Sequence, residues 1–317
     1  DLPGVTRLGE TTRAPMIDLG DNIAPIDELL ALNEGVLEGV YPSRTEEKDS
    51  AQLLSYPASA YPAPAVKRLK PLALIPVFPG TNCEYDTQRA LLEAGAETEI
   101  AVIRNLTAEA VARSAERFAE SLKNAQMVVI PGGFSGGDER DGSGKFITAF
   151  FRNPAIRDAV SDFLDNREGL MAGICNGFQA LVKLGLVPYG RIVDAAPDAP
   201  TLTFNTIGRH QSKIVNTRIA SSKSPWLALT EPGMCFRVPV SHGEGRFYAP
   251  EETLKALEEN GQIATQYADL DGHATMEIQY NPNGSLMAVE GITSPDGRVF
   301  GKMGHSERTG KNLYRNV

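Results

Sequence analysis

From Pro71 onward, short apolar runs alternate with amphipathic stretches, and this alternation most limits what the chain can fold into. Residues 72–78 are an apolar run of the kind a strand shows when both faces are covered, with Pro76 marking its end. Residues 84–94 read as a helix stopped by Gly95, residues 97–104 as a second strand, and Thr107 as the cap of a helix running to Lys123. Residues 125–130 give a third strand, which runs into Pro131-Gly132-Gly133-Phe134. Helical stretches start at Lys145 and Pro154 and lead to a strand at 170–174. Strands and helices alternating at this spacing predict an α/β fold, with a mainly parallel sheet covered on both faces. From about residue 190 the pattern turns β-rich, with strand-like runs at 213–220, 235–240, 263–268, 276–281, 286–293 and 298–303.

The segment ahead of Pro71 has a different character. Residues 1–45 combine hairpin-like and helical parts; Ile26, Leu29, Leu30, Leu37 and Val40 would form one apolar stripe on a helix over 23–40, with little nearby to bury it. Residues 46–70 are rich in proline, alanine and serine and lack periodicity, which reads as a linker with polyproline tendency.

Composition removes several classes of function. A formal net charge of -9 and a pI near 5.1 argue against a nucleic-acid partner, which wants clustered Lys and Arg. No apolar run reaches the roughly 20 residues that span a bilayer, so no membrane partner is expected. The start carries neither a signal-peptide pattern nor an initiator Met. Cys83, Cys175 and Cys235 fit no disulfide framework and no paired metal spacing, which points to a reducing, cytoplasmic setting without a bound metal.

Gly173-Ile174-Cys175-Asn176-Gly177 is the most informative stretch. It has the form of a nucleophile elbow with cysteine in place of serine: a sharp strand-to-helix turn that needs small neighbours and lifts the side chain above the sheet edge. A helix starting just after Cys175 favours the thiolate. A thiolate attacking an amide also needs two donors for the developing oxyanion. The backbone N–H of Asn176 supplies one, and Gly133, at the end of a neighbouring parallel strand, would supply the other. The glycine-rich stretch 132–137 is also suited to flipping a peptide into or out of that position. The base must be a histidine. His242-Gly243-Glu244 and His305-Ser306-Glu307 both pair an imidazole with a carboxylate two residues on, and spacing does not choose between them. His210 and His273 read as surface residues.

Other patterns fail on inspection. Gly142-Ser143-Gly144-Lys145 lacks both the upstream glycine and the following Ser or Thr of a phosphate loop. The His-x-Glu pairs lack the Pro-Cys-x-x-Cys of zinc deaminases. Cys83 also sits at a strand-to-helix turn, but it lacks the tight glycine flanks and reads as a half-buried loop thiol.

Taken together, PVFPGTNCEYDTQRA, VIPGGFSGGDERDGSGKF, GICNGFQALVKLGL, LTFNTIGRH, VSHGEGRF, YNPNGS and ITSPDGRVFGKMGHSER resemble the class I glutamine amidotransferase domain. The resemblance covers most of 71–309 and is nearer to the glutaminase part of phosphoribosylformylglycinamidine synthases. It implies a flavodoxin-like three-layer sandwich over 71–317, with a β-rich C-terminal half and a small extension in front. Residues 1–45 are similar to the tail of the ATP-dependent synthetase module, so the chain resembles the C-terminal portion of a fused synthase. The family also implies a triad of Cys175, His305 and Glu307, with Gln179, Ser241 and His242 near the substrate's amino-acid end. Ser306 stands where the superfamily commonly has proline. The implied reaction is hydrolysis of glutamine to deliver ammonia to the synthetase module, which holds ATP and Mg; this chain itself would need no cofactor. Family members often continue past this point with another helix, whereas this chain stops at Val317, which would leave its C-terminal edge less covered. Two other readings remain: a cysteine-elbow hydrolase or deglycase of the protease-like superfamily, and a non-catalytic docking module.

Overall fold

The computed structural model describes residues 4–43, 45, 51–58, 60, 61, 64, 66–134, 144–194, 196–308, 310 and 313 of the 317. The chain divides into two compact units, Asp1–Glu46 and Glu47–Val317.

In the first unit, β1 (Met16–Asp18) and β2 (Ile23–Pro25) form an antiparallel hairpin with Met16 opposite Pro25, followed by α1 (Ile26–Gly35). The helix is shorter than the expected 23–40. Pro25 is extended and residues 23–25 are drawn into the hairpin, while the chain breaks into turns after Gly35. No residue of α1 is buried, and Leu29, Leu30, Leu32, Leu37 and Val40 are all exposed.

The second unit runs β3 (Leu72–Val77), α2 (Glu84–Glu93), β4 (Glu97–Val102), α3 (Ala108–Asn124), β5 (Met127–Ile130), α4 (Lys145–Phe151), α5 (Pro154–Ser161), β6 (Leu170–Ile174) and α6 (Asn176–Leu184). It continues with the single turn α7 (Leu186–Tyr189), β7 (Thr201–Phe204), β8 (Gln211–Ile219), β9 (Cys235–His242), β10 (Glu244–Tyr248), α8 (Glu251–Glu259), β11 (Ile263–Ala268), β12 (Val289–Thr293) and β13 (Val299–Lys302). Among the described residues, one nine-stranded sheet has the order β4-β3-β5-β6-β13-β12-β11-β8-β9. Pairing is parallel from β4 to β13 and antiparallel from β13 to β9. The α/β class and the parallel central sheet are as the alternation led us to expect. The inner strands β3, β5 and β6 of the parallel half are largely buried, which is why they read as apolar runs, with Ala73, Leu74 and Ile75 of β3 fully buried; the edge strand β4 is only partly buried. Phe78, Phe118, Phe150 and Phe151 interlock at ring separations of 5.4–6.3 Å, a rigid footing under the loop that follows β3.

Three features depart from the sequence reading. Residues 276–281 hold a turn instead of a strand: Glu277 O accepts from Tyr280 N at 2.9 Å and from Asn281 N at 2.8 Å, and the side chains of Asn281 and Asn283 both accept from Ser285 N just beyond. β7 and β10, absent from the reading, pair with each other through a bulge between Glu244 and Arg246. Finally, the described part of the Pro/Ala/Ser-rich stretch is no free spacer at 51–58. Leu54 is buried; its N–H donates to Gln266 Oε1 at 3.2 Å and its carbonyl accepts from Arg218, while Tyr56 N donates to Ala220 O at 2.8 Å. This strap gives further partners to two buried polar side chains, Arg218 and Gln266, whose other hydrogen bonds go to Ile219 O and Met287 O.

Candidate active site

The candidate residues collect at the carboxyl ends of β5, β6 and β13, neighbours in the parallel half of the sheet, where ligands of open α/β sheets gather. Cys175 forms the turn between β6 and α6 with φ 51° and ψ -105°, a strained conformation for a residue with a side chain. Two hydrogen bonds hold it there: Cys175 N donates to Lys302 O of β13 at 2.8 Å, and Gln179 N donates to Cys175 O at 3.0 Å. The turn also needs α6 to lie hard against β5. A Cβ on Gly177 would sit 2.1 Å from Ile130 O, so no larger residue fits. Cys175 is buried, and its Sγ lies 4.0 Å from Ser241 O.

β13 leads to His305, one of the two histidines expected as base. Beyond its end, His305 is buried, and its Nδ1 lies 2.6 Å from Glu307 Oε1 in the turn Ser306–Arg308. Burial pulls the imidazole pKa down, but hydrogen bonding and charge from Cys175, with Cys83 and Glu307 adding, outweigh it and push it up to about 12. His305 is therefore an imidazolium facing sulfur. His242 is the opposite case. It is fully enclosed, both ring nitrogens lack a hydrogen-bond partner, and burial first, then His210 and His305, push its pKa down to about 3. The two His-x-Glu pairs, equivalent by spacing, thus differ in charge and in access to the thiol.

A buried ion pair fixes the His305 turn. Lys302 Nζ lies 3.4 Å from Glu290 Oε1 and donates to Gly304 O at 3.1 Å and to Ser306 Oγ at 2.9 Å. Gly304 N donates to Glu290 Oε1 at 2.6 Å, and Thr265 Oγ1 donates to Glu290 Oε2 at 2.5 Å. Ser306, in the position where proline is common, thus gives the turn a side-chain tether. Lys302 touches both halves of the site: its carbonyl receives the Cys175 N–H and its ammonium holds the turn that carries His305.

Gly133 follows β5, and Asn176 opens α6 directly after Cys175, so the two expected oxyanion donors lie past the ends of the adjacent strands β5 and β6. The loop at 79–83 braces the first of them. Phe134 N donates to Gly80 O at 2.8 Å, Asn82 N donates to Gly132 O at 3.2 Å, and Thr81 bridges to Gly133. Gly133 has φ +151°, and a Cβ there would sit 2.4 Å from Gly80 O. The rest of the glycine-rich stretch, at 135–137, lies outside the described residues, as do Gly142 and Ser143.

The residues expected at the substrate's amino-acid end are less uniform. Ser241 Oγ lies 3.0 Å from His210 Nε2 at the mouth of the site. His242 carbonyl accepts from Asn205 Nδ2 at 2.9 Å, which anchors the end of β9. Gln179 is buried with its amide engaged: Oε1 accepts from Asn176 Nδ2 at 3.0 Å and Nε2 donates to Glu244 O at 2.5 Å. It braces the elbow against β10. Cys83 is fully buried, not half-buried as expected, with Sγ 3.9 Å from His305 Nδ1, 3.0 Å from Asn82 Oδ1 and 3.0 Å from Arg308 Nη2. Sequence reasoning missed this contact, and Lys302 and Glu290 with it, because no local spacing links residues so far apart; the one available signal was the strand-to-helix turn at Cys83.

Residues 70–317 match the family described as the CobB/CobQ-like glutamine amidotransferase domain. The chain belongs to this family of glutamine amidotransferases. It is 36% identical over 241 residues to the phosphoribosylformylglycinamidine synthase subunit PurQ of Aquifex aeolicus, covering 75% of this chain and 90% of that one. The same subunit of Salinibacter ruber is 36% identical over 239 residues, with 75% and 87% covered. Among solved structures, PurLQS from Thermotoga maritima aligns with a TM-score of 0.55 at 25% identity, covering 77% of this chain and 92% of the matched one. Its role is that of the glutamine amidotransferase in phosphoribosylformylglycinamidine synthesis. No helix among the described residues is long and apolar enough to cross a membrane.

Proposed function

We propose that Cys175 attacks the side-chain carboxamide of glutamine and that the reaction passes through a γ-glutamyl thioester. The observation that carries this reading is geometric: His305, its Nδ1 2.6 Å from Glu307 Oε1, follows β13, and the strained Cys175 turn ends the neighbouring strand β6. The thiol proton resides on His305. As sulfur bonds to the carboxamide carbon, negative charge builds on the oxygen, which the N–H groups of Gly133 and Asn176 would receive. His305 then passes its proton to the departing nitrogen, and the C–N bond breaks to release ammonia. The neutral imidazole next takes a proton from water, hydroxide adds to the thioester, and glutamate leaves as the thiolate returns. Glu307 keeps the ring oriented throughout. Ser241 and His242 would present backbone groups to the amino-acid end of glutamine, with Gln179 supporting them from behind through Glu244.

The relatives are named as subunits, and the Thermotoga maritima structure joins PurQ to PurL and PurS in its name. We read this chain as delivering ammonia in the same way to an ATP- and Mg-dependent synthetase module that amidates formylglycinamide ribonucleotide. The exposed apolar side of α1 in the first unit is consistent with a tail of such a module. Three free cysteines accord with a reducing, cytoplasmic setting. The direct test is Cys175→Ala, which should abolish ammonia release from glutamine while ammonium-supported amidation by the synthetase continues. A glutamine analogue carrying a thiol-reactive group should label Cys175. Labelling mainly at Cys83 or Cys235 would overturn the assignment.

A further inference from the structure

Three metal-ligating side chains meet at the rear of His305. Cys83 Sγ, His305 Nδ1 and a Glu307 carboxylate oxygen all lie within 4.8 Å of one another, and all three residues are buried. We propose that they form a zinc site whose occupation switches the glutaminase off. The inference rests on His305 being the base of the reaction proposed above.

Ligand chemistry and geometry both favour zinc. One thiolate, one imidazole nitrogen and one carboxylate oxygen are a typical donor set for this ion, softer than magnesium or calcium accept. Tetrahedral zinc with bonds of about 2.0–2.3 Å holds its ligand atoms roughly 3.3–3.8 Å apart. The Cys83–His305 separation, 3.9 Å, lies just beyond this range and must close by a few tenths of an ångström. The His305–Glu307 separation, 2.6 Å, must open by under about 1 Å once the proton between them is gone. Glu307 has an oxygen to spare: Oε2 is buried without a hydrogen-bond partner. Asn82 Oδ1, 3.0 Å from the sulfur, is placed to supply a further oxygen. The Arg308 guanidinium, 3.0 Å from Cys83 Sγ, must turn aside, while Arg89, which donates to Glu307 O at 3.3 Å, holds the backbone and not a ligand atom. Arg308 has room to move because it is partly exposed.

The consequence for catalysis follows from the tautomer. Zinc on Nδ1 displaces the proton shared with Glu307, and Cys83 binds the ion as thiolate. The imidazole is then neutral and keeps only its Nε2 proton, the one taken from Cys175; giving it to the departing nitrogen would leave an imidazolate, so the ring loses both its role as acid and its alignment by Glu307. The switch works from behind the site, without touching Cys175.

The test uses the full chain carrying Cys175→Ala, so that the nucleophile cannot be a ligand. Competition with a chromophoric chelator should show one equivalent of zinc held at micromolar or lower free concentration. Cobalt(II) in its place should give a near-ultraviolet thiolate-to-metal absorption band. Adding Cys83→Ser should abolish the band and weaken zinc binding at least about 100-fold, whereas adding Cys235→Ser should change neither. Should Cys83→Ser fail to fold, X-ray absorption of the zinc-loaded Cys175→Ala chain decides, with one sulfur and two or more nitrogen or oxygen ligands expected. A coordination shell without sulfur, or a cobalt band that survives Cys83→Ser but not Cys235→Ser, would overturn the site. Absence of binding alongside intact glutaminase activity removes the zinc site alone. Full activity of Cys175→Ala would remove the proposed reaction, while its metal binding would still report on the site.

Discussion

Replacing Gly133 by alanine tests the oxyanion loop with a single methyl group. The residue has φ +151°, where side chains are strained, and the new Cβ would lie 2.4 Å from Gly80 O, 2.7 Å from Thr81 Cα and 3.1 Å from Asn82 N. None of these atoms belongs to a flexible side chain, so the peptide must move. A carbon needs about 3.2 Å from a carbonyl oxygen, which sets the displacement near 1 Å. A shift of that size costs about 10²-fold in a positioned reaction, and losing one oxyanion donor costs about 10²–10³-fold. We therefore expect kcat for ammonia release to fall by about 10²-fold, with KM for glutamine changed far less. Backbone strain should also lower stability by about 1–3 kcal/mol, visible as a lower Tm. Ammonia release is measured in the presence of the synthetase, with ammonium-supported amidation as the control. A folded Gly133→Ala chain with kcat within about twofold of the parent would refute the role given to this loop.

Other perturbations separate the remaining parts. His305→Ala should lower glutamine hydrolysis by about 10²–10⁴-fold, Glu307→Gln by less, and His242→Ala should chiefly raise KM; a reversed ranking of the two histidines in kcat would transfer the base to His242. Lys302→Met leaves Glu290 buried without its partner and should cost about 3 kcal/mol in denaturant unfolding, whereas Ser306→Ala should cost under about 1 kcal/mol; equal effects would place the tether elsewhere. His242 stays neutral in the folded chain down to about pH 3 but takes up a proton near 6.5 when unfolded. Its contribution to stability is thus full above pH 6.5 and lost as the pH falls toward 3, and a stability-versus-pH curve for His242→Asn should be shallower in that window by a few kcal/mol. Synthetase loaded with ATP and formylglycinamide ribonucleotide should raise the glutaminase rate at least about tenfold, a coupling of about 1.4 kcal/mol; equal rates with and without it would exclude gating of this kind.

Local chemistry in the sequence carried much of this structure. The apolar runs over β3, β5 and β6, the Thr107 cap, whose side chain accepts from Ala110 N, and the elbow at Cys175 are all set by residues a few positions apart. What the sequence hid depends on distant partners. Residues 276–281 have strand-like composition, but two backbone bonds to Glu277 O close them into a turn. The strap at 51–58 lacks periodicity because its partners, Arg218 and Gln266, belong to two different strands. The choice between His242 and His305 is invisible to spacing, since it rests on which strand lies beside β6. Lys302 and Glu290 give no local sign of their pairing, because adjacent antiparallel strands bring them together.

The two bonds made by Lys302 also bear on when the site comes into being. The amide of Cys175 is held by the carbonyl of β13, a strand drawn from near the end of the chain, which lies between β6 and β12 in the sheet. During synthesis the elbow leaves the ribosome well before that strand, so the turn lacks both its hydrogen bond and its base. Insertion of β13 is a late, long-range closure event of the kind that slows folding. A nascent chain therefore carries the Cys175 thiol without His305 beside it, and on the mechanism proposed above the release of ammonia must wait for β13.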